Sequence, residues 1–302
     1  MSIITLTEEQ DLIKMTAKDF AAREVRPKAA ENDREGKFPK RLVDKMGELG
    51  FMGMMVPEEY GGSGLDCVSY VIALEELCAA CASTGIIMSV NNSLVCAPIL
   101  AFGSEKQKQA YLPDLASGKK LGCFSLSEPD AGSDPASMRT IALRKSDSYV
   151  INGTKAWVTN GAEADVMVLI AATDPSKGHH GISAFIIDMD NPGVKIAKLE
   201  HKLGIKATST AQIYFEDCKV PKSAMIGHEG DGFKVAMTTL DGGRIGVATQ
   251  AVGIARAAFE EAVKYSKVRQ AFGRTISSFQ GLQFMMADMA TRLEASRLLT
   301  LQ

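Results

Sequence analysis

The segment from Thr239 to Gly246 reads TLDGGRIG. Asp241 and Arg244 are three residues apart, so on a helix they project from one face. Gly242 and Gly243 between them each cost about 0.8–1 kcal/mol relative to alanine in a helix interior. A missing Cβ also lets a ligand approach the helix backbone closely. Which ligand that would be depends on the rest of the chain. A second segment, FSLSEPDAGSD from Phe124 to Asp134, has a strand-like start and then Pro129, Asp130, Gly132 and Ser133, all turn formers. Other patterns carry less. Cys78 and Cys81 form a C-x-x-C in line with Leu74 and Leu77 at helical spacing, which reads as buried core rather than a redox couple. Two of the four histidines are adjacent in KGHHG and give no zinc spacing, so no metal site is expected. GGSG at 61–64 lacks a third glycine, and there is no G-x-x-x-x-G-K-[ST], which argues against a Rossmann dinucleotide site or a P-loop.

The elements that position these residues fall into three zones. The 302 residues are 46% hydrophobic, enough for a sizeable core, and the formal net charge of −2 suggests neither a nucleic-acid binder nor a membrane-surface protein. No apolar run is expected to reach the roughly 18–20 residues of a membrane span. The start, MSIITLTEEQ, lacks secretory and transit patterns, so a cytoplasmic location is expected. Thr7 and Gln10 predict a capping box. Residues 1–118 read as helices, with Ile13, Ala17, Phe20 and Ala21, then Leu42, Met46 and Leu49, at 3–4 spacing. Ser104 is expected to cap a short helix ending before Pro113. Residues 119–228 read as a compact antiparallel β domain, with a hairpin turn predicted at Asn152-Gly153. From 229 to 302 the helical period returns. One helix is expected over 233–267 and a second from about Ser278, ending at Gln302 without a cap.

FSLSEPDAGSD resembles the first signature of the acyl-CoA dehydrogenase family. WVTNG at 157–161, KLGIKATST at 202–210, FEDCKVP at 215–221, DGGRIG at 241–246 and RQAFG at 269–273 follow in the family's order. The chain is most similar to the short-chain, butyryl-type branch; one departure is Ser125, where relatives usually carry Gly, Ala or Cys. The resemblance implies an α+β fold with an N-terminal helical domain, a middle β domain and an incomplete C-terminal helical bundle. It also implies FAD in the cleft between the β domain and the helices, and oxidation of an acyl-CoA to the trans-2-enoyl-CoA. A glutamate would remove the α-proton, and electrons would pass to an electron-transfer flavoprotein. By the same resemblance, Phe124, Leu126, Ser127, Ser133, Trp157, Thr159, Arg269 and Gln280 are the expected FAD contacts. Ser133, Asp241, Gly243 and Arg244 are the expected acyl-CoA contacts. Arg269 and Gln280 match positions that reach the FAD of a neighbouring subunit, which implies a homotetramer.

Gly243 stands where other branches of the family hold the catalytic glutamate. In the short-chain branch the base comes from a later loop, so no catalytic base is expected in this chain and its place is expected beyond Gln302. The chain alone is therefore expected to be inactive. Glu128 is read as structural. Two alternatives accompany this reading: an acyl-CoA oxidase or nitroalkane oxidase-like flavoenzyme, and a non-catalytic flavoprotein subunit.

Overall fold

The computed structural model describes residues 5–302. The first helix, α1 (Glu8–Phe20), starts at the predicted capping box: Gln10 N–H donates to Thr7 Oγ1 at 3.2 Å, and Thr7 N–H donates to Gln10 Oε1 at 3.1 Å. Helices α2 (Arg26–Glu35), α3 (Lys40–Glu48), α4 (Cys67–Ala80), α5 (Ala82–Ser89), α6 (Ala97–Phe102) and α7 (Glu105–Ala116) complete the first zone. A π-helical segment, Val90–Cys96, joins α5 to α6.

Two expectations about this zone are corrected. Ala82–Phe102 is long and apolar enough to cross a membrane by length and composition. Most of it is buried inside the protein, and its two asparagines are tied to other segments. The Asn91 amide donates to the Met52 and Leu115 carbonyls at 2.8 and 3.1 Å and accepts from Gly122 N–H at 2.9 Å. Asn92 donates to the Phe51 carbonyl and accepts from Met54 N–H, both at 2.8 Å. This is the core helix of the bundle. The second correction concerns α7. Ser104 caps it as expected, but the helix runs through Pro113 to Ala116. Leu112 and Leu115 flank the proline and are fully buried, and their packing outweighs one missing backbone hydrogen bond.

The middle zone is one sheet in the order β6-β7-β3-β2-β4-β5-β8, with β1 on β4. Its strands are β1 (Gly122–Ser125), β2 (Ile141–Lys145), β3 (Ser148–Thr159), β4 (Val166–Ala172), β5 (Ile182–Asp188), β6 (Val194–Leu199), β7 (Thr210–Pro221) and β8 (Met225–Ile226). Pairing is antiparallel except for β1–β4 and β2–β4, which are parallel. The hairpin predicted at Asn152-Gly153 does not form, because β3 runs straight through it. The turn is Ser146-Asp147, with Lys145 paired to Ser148 and Ser146 at φ +53°. Gly153 marks a bulge against β7. Its φ is +151°, and a Cβ there would meet Thr140 Oγ1 at 2.5 Å. The glycine serves a close approach, not a turn.

The last zone holds α8 (Gly232–Ser266) and α9 (Gln280–Leu301). Both are tied to α4 by buried charge. Arg256 makes a bidentate contact with Glu76 at 2.9 and 2.8 Å and lies 3.3 Å from Glu75 Oε1; Arg297 Nε lies 3.0 Å from Glu75 Oε2. Removing one partner of a buried pair leaves a charge uncompensated. Arg256→Met should therefore lower the free energy of unfolding by about 3 kcal/mol in chemical denaturation. A loss below about 1 kcal/mol, the scale of an exposed pair, would contradict this role.

Candidate functional site

A cavity of about 390 Å³ lies where the three zones meet. Val90 and Leu94 line it from the π-helical segment, Met237, Leu240 and Arg244 from α8, and the β domain supplies the rest. Phe124, Leu126, Ser127, Ser133, Trp157 and Thr159 all line this one cavity.

The β-domain wall is built by a bulge and a buried ion pair. Along β3, Tyr149, Ile151 and Lys155 face inward at a period of two. Between Lys155 and Val158 the register with β7 slips, so that one residue more is fitted on β3 than on β7. Trp157 occupies the slip with φ +56° and is 55% exposed. A bulky residue in that region costs about 1–3 kcal/mol, so its neighbours must enforce it. Ala156 N–H donates to the Ser127 carbonyl at 2.9 Å. The Lys155 ammonium, fully buried, donates to the Leu126 carbonyl at 2.7 Å and to Glu128 Oε1 at 2.9 Å. Glu128 in turn accepts from Arg139 N–H at 2.7 Å and Thr140 N–H at 3.0 Å. Burial pushes the Lys155 pKa down to about 8 against the opposing pull of Glu128. Burial also opposes ionisation of Glu128, but the Lys155 charge and the hydrogen bonds from Arg139, Lys155 and Thr140 outweigh it and hold its pKa below the usual value.

The remaining expected site residues lie elsewhere. Asp241 and Arg244 share one face of α8, 3.8 Å apart and largely exposed; Arg244 reaches the cavity, and Asp241 does not line it. Gly243 is buried beneath Leu94, whose Cδ2 a Cβ would meet at 2.8 Å, and Gly242 faces open space. The absent Cβ of Gly243 thus seats a side chain of the cavity wall. Arg269 and Gln280 are exposed beyond the far end of α8. From Arg244 to Ser266 the helix spans about 33 Å, so neither reaches this cavity. Ser125 is fully buried on β1, and its Oγ has no hydrogen-bond partner.

Sequence reasoning did not single out Lys155, Val90, Leu94, Met237 or Leu240. For Lys155 a signal existed: a lysine at an inward position of an alternating strand demands a buried partner. No comparable signal separates Val90 and Leu94 from ordinary core.

The mostly neutral wall, with an indole and two hydroxyl-bearing residues among its lining, fits a flat aromatic cofactor. Trp157 is held out of the core by a strained backbone and presents an indole to the cleft, with the Ser127 and Thr159 hydroxyls beside it.

Comparison with known proteins agrees with this architecture. Residues 7–119 match the family model for the acyl-CoA dehydrogenase N-terminal domain, 123–218 that for the middle domain, and 230–302 that for the C-terminal domain. The Mus musculus protein named short-chain specific acyl-CoA dehydrogenase, mitochondrial, is 53% identical over 297 residues, covering 98% of this chain and 72% of that one. The solved butyryl-CoA dehydrogenase from Megasphaera elsdenii has a TM-score of 0.96 at 46% identity, covering 98% of this chain and 79% of that one. A chain solved in a study of the electron transferring flavoprotein of Acidaminococcus fermentans has a TM-score of 0.97 at 53% identity, covering 99% and 79%.

The Glu128 environment makes a pH prediction. Its folded pKa lies below its ordinary value of 4.5. Its contribution to stability is therefore complete above that pH and is lost as the pH falls through the lower folded value. Between about pH 5 and about pH 3, the melting temperature of Glu128→Gln should fall less steeply than that of wild type. Equal slopes would contradict the assignment.

Proposed function

The chain belongs to the acyl-CoA dehydrogenase family, and on that premise we propose that it serves FAD-dependent α,β-dehydrogenation of a short-chain acyl-CoA to the trans-2-enoyl-CoA, with electrons passed to an electron-transfer flavoprotein. The observation that carries this reading is the single cavity where Ser127, Thr159 and Trp157 of the β domain face Leu94 of the helical domain and Arg244 of α8. FAD, when bound, supplies the two-electron acceptor. The protein supplies position and environment. The Trp157 indole would flank the flavin ring, while the Ser127 and Thr159 hydroxyls offer neutral hydrogen-bond donors to its polar edge. Val90, Leu94, Met237 and Leu240 form apolar walls that keep water from a short acyl chain. Arg244 presents a cation at the mouth for the CoA moiety, with Asp241 beside it. The likenesses to a butyryl-CoA dehydrogenase and to a chain from an electron transferring flavoprotein study support the substrate class and the electron acceptor.

No carboxylate lines the cavity among the described residues. Glu128 is committed to Lys155, and the Gly243 position offers no acid. These residues bind and orient; they do not supply the base that removes the α-proton. Arg269 and Gln280, too distant for their own cavity, fit contacts to the FAD of an adjacent subunit in a homotetramer. Arg's planar fork suits the pyrophosphate that distinguishes FAD from FMN.

A titration tests the reading. Butyryl-CoA added anaerobically to the FAD-loaded protein should perturb the flavin absorbance saturably. Arg269→Ala should weaken FAD binding at least tenfold, since a charge-assisted contact contributes roughly 1.5–3 kcal/mol. A flavin spectrum indifferent to butyryl-CoA would overturn the substrate assignment, and unchanged FAD affinity would overturn the role of Arg269.

A further inference from the structure

The cavity wall contains a fully buried cation that the proposed chemistry does not use. Lys155 has three neighbours: the Leu126 carbonyl at 2.7 Å, Glu128 Oε1 at 2.9 Å and Met138 Sδ at 4.0 Å. They lie on segments separate from its own strand. Through Glu128 the cluster also holds the Arg139 and Thr140 N–H groups. It therefore closes the base of the loop 129–137, which carries Gly132, Ser133 and Pro135 to the cavity. On β3 itself, the residues directly after Lys155 are Ala156 and Trp157, which line the same cavity.

We propose that Lys155 is a positioning residue for the flavin: its ammonium locks the Leu126–Glu128 segment, the base of the Ser133 loop and the Trp157 bulge into one rigid wall on which the isoalloxazine seats. This rests on the functional reading above. The argument is energetic as well as geometric. A buried ion pair contributes little net stability compared with an apolar pair of similar volume. At this strand position a methionine would pack without desolvating a charge. What it could not do is bond a carbonyl and a carboxylate on a neighbouring segment at once. The lysine thus imposes geometry on the only part of the wall with left-handed, strained backbone, Trp157. A cofactor wall needs such fixed placement of its contacting groups.

Two variants test this. Lys155→Met removes the cation but leaves Glu128 buried alone. Lys155→Met/Glu128→Gln removes both charges and nearly preserves volume. The double variant should fold with a circular dichroism spectrum and melting temperature close to wild type, yet bind FAD at least tenfold more weakly. Its bound flavin should also show a displaced visible band and midpoint potential, readouts that a purely structural role would leave in place. A folded double variant with wild-type FAD affinity, spectrum and potential would overturn the proposal while leaving the function intact. If both variants fail to fold, the pair is a folding requirement and the proposal also falls. Wild-type protein that takes up no FAD would overturn the functional reading and this inference together.

Discussion

The buried contact between Lys155 and Glu128 adds a charged tie among segments that backbone pairing already brings side by side. Residues 126–128 leave β1, residues 138–140 enter β2, and residues 155–156 lie at the end of the regular part of β3. Each segment carries, or is followed by, a cavity residue. Two charges in a low-dielectric interior cannot drift apart without a large desolvation penalty, so the contact behaves as a fixed strut. The bulge at Trp157 depends on it. The backbone there is held in a sparsely populated conformation, and the hydrogen bond from Ala156 N–H to the Ser127 carbonyl continues the same stitch one residue on.

The helical side of the cavity is positioned by different means. The π-helical turn at Val90–Cys96 widens the core helix where Val90 and Leu94 face the cleft, and Asn91 and Asn92 clamp that turn to the 51–54 segment. Single-turn π segments often sit at functional sites, and here the turn brings apolar side chains against the β domain. On α8, Gly243 lets Leu94 lie flat on the helix. The α4 carboxylates then anchor α8 and α9 through Arg256 and Arg297, so the helix bearing Arg244 is also held by the first helical zone.

Much of this was legible in the residues. The capping box at Thr7, the N-cap at Ser104 and the long helix at the start of the last zone form as the sequence predicts. The segment FSLSEPDAGSD does contribute to the cleft. The misreadings share one cause: a local signal overridden by tertiary packing. Asn-Gly at 152–153 reads as a turn, but the glycine is needed for a close approach to Thr140, and the chain reverses at Ser146-Asp147 instead. Pro113 reads as a stop, but burial of Leu112 and Leu115 carries the helix past it. Ala82–Phe102 is interrupted by polar residues in sequence, yet Asn91 and Asn92 bond internally and the helix is continuous and apolar overall. Lys155 was overlooked because a lysine in a strand usually faces solvent. The alternation of β3 was the available clue, and it places Lys155 inward.

The central claim is that this wall presents Trp157 to the face of a flavin. The chain has a single tryptophan, so its intrinsic fluorescence reports on that residue alone. Titrating the flavin-free protein with FAD should quench the tryptophan emission saturably, with the same midpoint as FAD binding followed by flavin absorbance. FAD that binds with the tryptophan emission unchanged would contradict the account, because the cofactor would then occupy a different part of the molecule.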